Sequence, residues 1–296
     1  MVEAAGGRFH IHETGTGPVP VILEAGIAAT SLSWALVQDE ASKFAHVISY
    51  DRAGLGWSEP ATGPRTPAVI VKELRAVLEA ARIAGPYLLV GHSFGGLVVE
   101  RFAVEYPTLA AGVVLVDALS PKEFFPLTEQ KRAMLGRGIS LSRRGGTLAR
   151  MGIVRLCLGL VLGGNQTLPK LAARVSSGSG GEGLTARLAG EIRKLPKSVW
   201  PMVASHWSMP KSFESMARHL ECLPDSCREM AETVLPEIPV TVISAAKNQD
   251  GPGVRVPASA QWITAEGSGH WVQLDQPELV VEAIRVMLKE ITTTRA

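Results

Sequence analysis

Long hydrophobic runs are scarce in this chain. The longest apolar stretch, Gly152 to Gly164, carries Arg155 and is too short to cross a bilayer, so no integral membrane segment is expected. Met1 to Arg8 has no apolar region of the secretory kind, and the location expected is cytoplasmic. Cysteine is sparse and odd in number: Cys157, Cys222 and Cys227. Cys222 and Cys227 stand 5 apart, a spacing of no common zinc or redox motif, and read as reduced packing thiols. A surplus of one charge is also missing. Lys+Arg number 30 against 28 Asp+Glu, net +2, which gives no nucleic-acid signature. Aromatic residues make up 5% and apolar residues 46%, ordinary for a globular chain. No internal repeat is visible. At 296 residues there is room for one large α/β domain or for a core with an insertion.

What is present is alternation. Val19 to Ala25, Val47 to Tyr50, Tyr87 to Val90 and Val113 to Val116 are short apolar runs, as in strands buried on both faces. Phe9 to Glu13 alternates like an outer strand, and Val240 to Ile243 and Gln261 to Thr264 supply later strands. Helical patterns lie between them. Ser31 to Phe44 reads as a helix; Thr66-Pro67 opens another, with Val69, Ile70, Leu74, Val77 and Leu78 on one face, stopped at Gly85-Pro86. Pro277 to Ile291 closes the chain. Such alternation predicts a doubly wound, mostly parallel sheet of the α/β class.

Between Asp117 and Leu235 no buried-type strand recurs. Helical fragments are separated by glycine-rich breaks at Gly145-Gly146, Gly163-Gly164 and Ser176 to Gly183. Residues 121–236 carry 17 Lys+Arg against 9 Asp+Glu, leaving 13 against 19 elsewhere, so a basic segment sits in an acidic core. The division predicted is a core of residues 1–120 and 237–296 and a helical insertion over 121–236.

The most specific motif is Gly91-His92-Ser93-Phe94-Gly95, a G-x-S-x-G pentapeptide between an apolar strand and a helix. A serine on so sharp a turn needs glycine two residues to either side, because a Cβ there would meet the neighbouring chain. The hydroxyl then stands above the sheet at a helix N-terminus, where free N–H groups favour developing negative charge.

With Leu23-Glu24-Ala25-Gly26-Ile27, Tyr50-Asp51-Arg52-Ala53-Gly54-Leu55-Gly56-Trp57-Ser58 and Gly267-Ser268-Gly269-His270-Trp271, this motif makes nearly the whole chain resemble the α/β-hydrolase-fold enzymes, serine-nucleophile type. The resemblance implies the chain order nucleophile, acid, base and a helical cap where the basic insertion falls. Of seven histidines, only His270 occupies a glycine-rich loop after the last strand, the family's base position. Most members carry the acid after the penultimate strand, where Asp250 is available; the haloalkane dehalogenase branch carries it after the strand following the elbow helix, where Asp117 ends Leu115-Val116-Asp117. Asp117 is the first choice, since a strand-end carboxylate is better fixed, and Asp250 the second.

The same resemblance implies an oxyanion hole from the backbone N–H groups of Phe94 and Ile27. Ala25-Gly26-Ile27 replaces the commoner His-Gly-x, which leaves open what holds this loop. Asp51 to Ser58 reads as a structural turn. Trp200, His206 and Trp207, with Met209 and Phe213, line either a substrate pocket or the cap's own core. The activity implied is hydrolysis of a small carboxylic ester, lactone or thioester through an acyl-enzyme, with no cofactor and no metal. Acyl transfer to another acceptor, C–C hydrolysis, perhydrolysis and a binding protein that retains the triad are the alternatives. The sequence is silent on oligomeric state.

Overall fold

The computed structural model describes residues 1–162, 190, 193–246 and 256–295. A hairpin of β1 (Val2–Ala4) and β2 (Gly7–Phe9) leads into β3 (Ile11–Thr14) and β4 (Val21–Glu24). Then come α1 (Ala35–Ala41), β5 (Val47–Tyr50), α2 (Pro67–Ala80), β6 (Tyr87–His92), α3 (Phe94–Glu105) and β7 (Ala110–Val116). The segment after β7 contributes α4 (Glu129–Arg150), α5 (Ile153–Leu162), α6 (Trp200–Trp207) and α7 (Pro210–Met230). The chain closes with β8 (Val240–Ala245), β9 (Gln261–Ala265), α8 (Val272–Asp275) and α9 (Pro277–Arg295).

Seven strands form one sheet in the order β3-β5-β4-β6-β7-β8-β9. Only β3 is antiparallel to its neighbour. The period of two along each strand divides the core. Leu89, Val113, Leu115 and Val242 face one layer with Ile70 and Leu74 of α2 and Leu97 and Phe102 of α3. Leu88, Val90, Val114 and Val116 face the other, with Val37 of α1 and Ile284 and Met287 of α9. Burial on both faces explains why these strands read as unbroken apolar runs. Strand order reverses beside β4, since β5 lies on one side and β6 on the other. The carboxyl ends flanking such a switch are where an open α/β sheet leaves a crevice.

Between β7 and β8 the described residues add no strand to this sheet. His219, Leu223, Cys227 and Met230 recur at helical spacing along α7 and are buried. Leu223, Cys227 and Met230 join the same core cluster as Leu97 and Leu115, so this helix is tied to the sheet by apolar burial.

Two local expectations change. Ser31 to Phe44 begins as a 3₁₀ turn over Ser31–Trp34 before α1. Gly145-Gly146 is no break: α4 runs through it, and the Phe213 ring of α7 occupies the space a side chain would need, a Cβ on Gly145 falling 2.5 Å from the ring. Glycine here permits close helix contact at a cost in helix propensity that the packing offsets. The breaks expected at Gly163-Gly164 and Ser176 to Gly183 lie outside the described residues.

Candidate active site

Ser93 is the residue between β6 and α3, and its φ is +54°. The left-handed backbone is held by its neighbours: the Ser93 N–H donates to Val116 O (3.1 Å) and its carbonyl accepts from Leu119 N (3.0 Å). A Cβ on Gly91 would fall 2.5 Å from the Gly95 carbonyl oxygen, and one on Gly95 would fall 2.4 Å from that of Glu24. No other residue fits at either place, which is the steric content of the G-x-S-x-G spacing.

The strand next door ends in a second left-handed residue, Asp117, at φ +41°. Its N–H donates to Ile243 O (2.7 Å), and one carboxylate oxygen accepts from Ala245 N (3.0 Å). The other lies 2.6 Å from Nδ1 of His270. Nε2 of His270 lies 3.0 Å from Oγ of Ser93. A serine, an imidazole and a carboxylate thus stand in one hydrogen-bonded line, drawn from the ends of β6, β7 and the loop after β9. Asp117 is buried, while His270 leaves 39% of its side chain exposed, open to a small molecule from above. Asp250 lies outside the described residues.

The loop bearing His270 is held from two sides. Asp275 accepts the Gly269 N–H (2.9 Å) and pairs with Lys194 (2.5 Å). His92, within the elbow itself, places Nε2 2.8 Å from the His270 carbonyl oxygen. Burial drops the His92 pKa to about 3, helped by the nearby His270, so its ring stays neutral and donates. Its ring packs 4.8 Å from that of His270 and 5.1 Å from that of Trp271. The sequence pattern marks His92 only as a member of the pentapeptide. Nothing in the motif signals this contact, because it joins residues that only the sheet brings together.

Over Ser93 opens a cavity of about 1030 Å³. Ile27 and Phe94 border it beside the serine, and Leu119, Phe124, Leu220 and Leu223 give it apolar walls. Lys122, Glu123 and Lys131 stand on the same lining. The Phe94 N–H is the first of α3 and has no acceptor within its helix, so it remains available to a ligand. Trp200, His206 and Trp207 do not line this cavity among the described residues. Trp200 and Trp207 pack with Leu195, Val203, Trp271 and Leu274, and Trp200 donates its indole N–H to Leu195 O (2.8 Å). His206 meets the Trp57 ring edge to face at 4.1 Å, and burial lowers its pKa. They serve the contact between α6 and the core. Among the described residues no three His, Cys, Asp or Glu side chains converge as metal ligands would. No described helix is long and apolar enough to cross a membrane.

The alpha/beta hydrolase family matches residues 21–283, and the chain belongs to it. It is 35% identical over 136 residues to 2-hydroxymuconate semialdehyde hydrolase of Pseudomonas sp. (strain CF600), covering 45% of this chain and 47% of that protein. The chain thus spans about half the length of the curated relatives it matches. Among solved structures it resembles a thermophilic esterase from Thermogutta terrifontis, with TM-score 0.65 and 20% identity, covering 98% of this chain and 97% of that one. It also resembles the enol-lactonase from Burkholderia xenovorans LB400, with TM-score 0.62 and 17% identity, covering 97% and 98%. At such identities these two likenesses speak for the fold, an α/β-hydrolase fold.

Proposed function

We propose that the protein is a serine hydrolase of small carboxylic esters, lactones or thioesters, with Ser93 as nucleophile, His270 as general base and acid, and Asp117 as the carboxylate that orients His270. The observation that carries this reading is the hydrogen-bonded line from Ser93 through His270 to Asp117 beneath a cavity with apolar walls. The core is residues 1–120 and 237–296, and residues 121–236 form a helical cap that roofs the site. No cofactor takes part, and the place of action is the cytoplasm.

The chemistry follows from the geometry. His270 Nε2 takes the Ser93 proton as Oγ bonds to the substrate carbonyl carbon, and the C=O electron pair moves to oxygen. The N–H groups of Phe94 and Ile27 hold that oxyanion. Asp117, fixed by the Ala245 N–H, keeps the Nδ1 proton facing itself and stabilises the imidazolium. The tetrahedral centre collapses, the C–O bond to the leaving alcohol breaks, and His270 gives that oxygen its proton. A water then enters, loses a proton to His270 and attacks the acyl carbon. Collapse releases the acid, and the proton returns to Ser93.

The test pairs covalent labelling by a fluorophosphonate with turnover of p-nitrophenyl esters from acetate to palmitate. Labelling of wild type but not of Ser93→Ala, with one chain length preferred, supports the reading; a wild-type protein inert to both ends it. Likeness to a 2-hydroxymuconate semialdehyde hydrolase favours C–C cleavage by the same triad as second reading, and turnover of that compound in preference to every ester would establish it.

A further inference from the structure

The loop bearing Ile27 has no histidine at Ala25 to hold it; the structure puts an arginine there instead. Arg52, 26 residues beyond Gly26, follows β5, the strand paired with β4, and its side chain is fully buried. Its guanidinium Nη2 donates to the carbonyl oxygen of Gly26, which also accepts the Ala29 N–H (3.2 Å). Nε lies 3.5 Å from a carboxylate oxygen of Glu24 at the end of β4, and the Tyr50 hydroxyl donates to the other (2.5 Å). The guanidinium also lies over the Phe94 ring, 5.4 Å from its centroid. One buried cation therefore touches Phe94 and the carbonyl of the peptide that carries the Ile27 N–H.

The Gly26 carbonyl and the Ile27 N–H belong to one planar amide. A donor fixed on the oxygen fixes the direction of the N–H on the opposite side. A positive charge there also draws electron density toward the oxygen, making the N–H a stronger donor, as in any hydrogen-bonded chain. A cation buried in a low dielectric acts more strongly than the same cation in water.

We propose that Arg52 is a positioning residue for the oxyanion: through the Gly26–Ile27 peptide it aims and polarises the Ile27 N–H, with Glu24 and Tyr50 holding the guanidinium in place. This rests on the reading of Ser93 as nucleophile. The contribution belongs to the transition state, where oxygen carries charge, and not to substrate binding.

The experiment compares wild type with Arg52→Lys, Arg52→Met and the double variant Glu24→Gln/Arg52→Met, which leaves no buried carboxylate without its cation. Each is assayed for kcat and KM on the preferred p-nitrophenyl ester and for the rate and final stoichiometry of fluorophosphonate labelling. The expected result is a kcat lowered ~10–100-fold, less than the ~100–1000-fold of deleting an oxyanion donor outright, with KM changed little. Labelling should slow in parallel yet reach one label per chain, and Arg52→Lys should retain more activity than Arg52→Met. A purely structural role predicts a lower labelled fraction with wild-type kcat per labelled site; that result, or wild-type kcat in the double variant, overturns the proposal. Wild-type protein inert to esters and label alike would refute the serine hydrolase itself, and the role of Arg52 with it, before any variant is made.

Discussion

The strand ends that form the floor of the cavity, and the helices α4 and α7 that line it opposite as a roof in the proposed reading, are held by different forces. In the floor, Ser93 and Asp117 adopt left-handed backbones locked by hydrogen bonds to Val116, Leu119 and Ile243, and the Ala245 N–H holds the Asp117 carboxylate. Its charges are buried and committed: Arg52 to Gly26 and Glu24, and Asp117 to His270. The roof is joined to itself by Phe213 on Gly145 and by exposed pairs such as Arg143–Glu221 and Arg150–Glu214. Its apolar ties to the core are Leu135 of α4, one stripe of α7 with Leu223, Cys227 and Met230, and Trp200 and Trp207 of α6 beside Leu274, among the described residues. Chemistry needs atoms held to fractions of an ångström and so sits on strand ends cross-braced by the sheet. Selectivity needs only an apolar wall of suitable shape, which helices supply without such bracing.

The largest effect should come from the floor. Ser93→Ala should abolish turnover and labelling, a loss of roughly 10⁴–10⁶-fold, while melting stays at or above that of wild type because a strained turn loses nothing structural. A folded Ser93→Ala protein with ordinary turnover would dissolve the contrast altogether. Next comes Asp117→Asn, expected to lower kcat by roughly 10³–10⁴-fold by favouring the wrong imidazole tautomer, since an amide oxygen can still accept from Ala245. A mild effect would move the acid role to another carboxylate, and kinetics of Asp250→Asn would then name it.

The roof should answer in two ways. Trp207→Ala, half-buried against Leu274 and Trp271, should lower stability by about 3 kcal/mol without changing relative preference along the ester series. Leu223→Ala, which lines the cavity, should shift that preference by up to about 10-fold for each carbon at the chain end. Exchanged outcomes would mean that α6, not α7, shapes the pocket.

Glu100 is fully buried in α3 with both carboxyl oxygens unpartnered among the described residues, and is pushed well above the carboxylate range by desolvation. A carboxyl held protonated in the fold but ionised when unfolded loses stability as pH rises through the unfolded pKa toward the folded one. Glu100→Gln should therefore stabilise the protein at neutral pH. The gain over wild type should grow at up to about 1.4 kcal/mol per pH unit above the ordinary carboxylate range and vanish near pH 4. Denaturant titrations at several pH values read this, and a pH-independent difference would refute it. Smallest of all, Arg150→Ala should change stability by no more than about 0.5 kcal/mol, because its partner Glu214 is exposed and solvent screens the pair. A larger loss in thermal melting would show the roof to be braced like the floor.

Much of this was legible in residues one after another. Ser93 could be found because its requirements are local: a strand, glycines two residues to either side, and a helix. The sheet strands could be found because burial on both faces leaves apolar runs, and the nearness of His270 to Ser93 because the resemblance places a histidine in the loop after the last strand. Helix faces were legible as faces only. Trp200, His206 and Trp207 show that α6 has something to bury, but spacing along one helix does not say what it meets, and the structure turns them toward Trp271, Leu274 and Trp57. Gly145-Gly146 looked like a break because the ring that fills it belongs to a helix some seventy residues away.

The sequence by itself determined the class of fold and the place of Ser93 on a strand-to-helix turn, since each follows from short-range pattern or order along the chain. Only the tertiary structure decided what meets what. It set Asp117 against His270 by laying β8 beside β7, brought the His92 ring behind the His270 loop, and put Arg52 on the Gly26 carbonyl by pairing β5 with β4. These contacts span 26 to 178 residues of chain. Their partners are chosen by strand register and by the need of every buried charge or amide for a complement, and neither is written in the neighbours of the residue concerned.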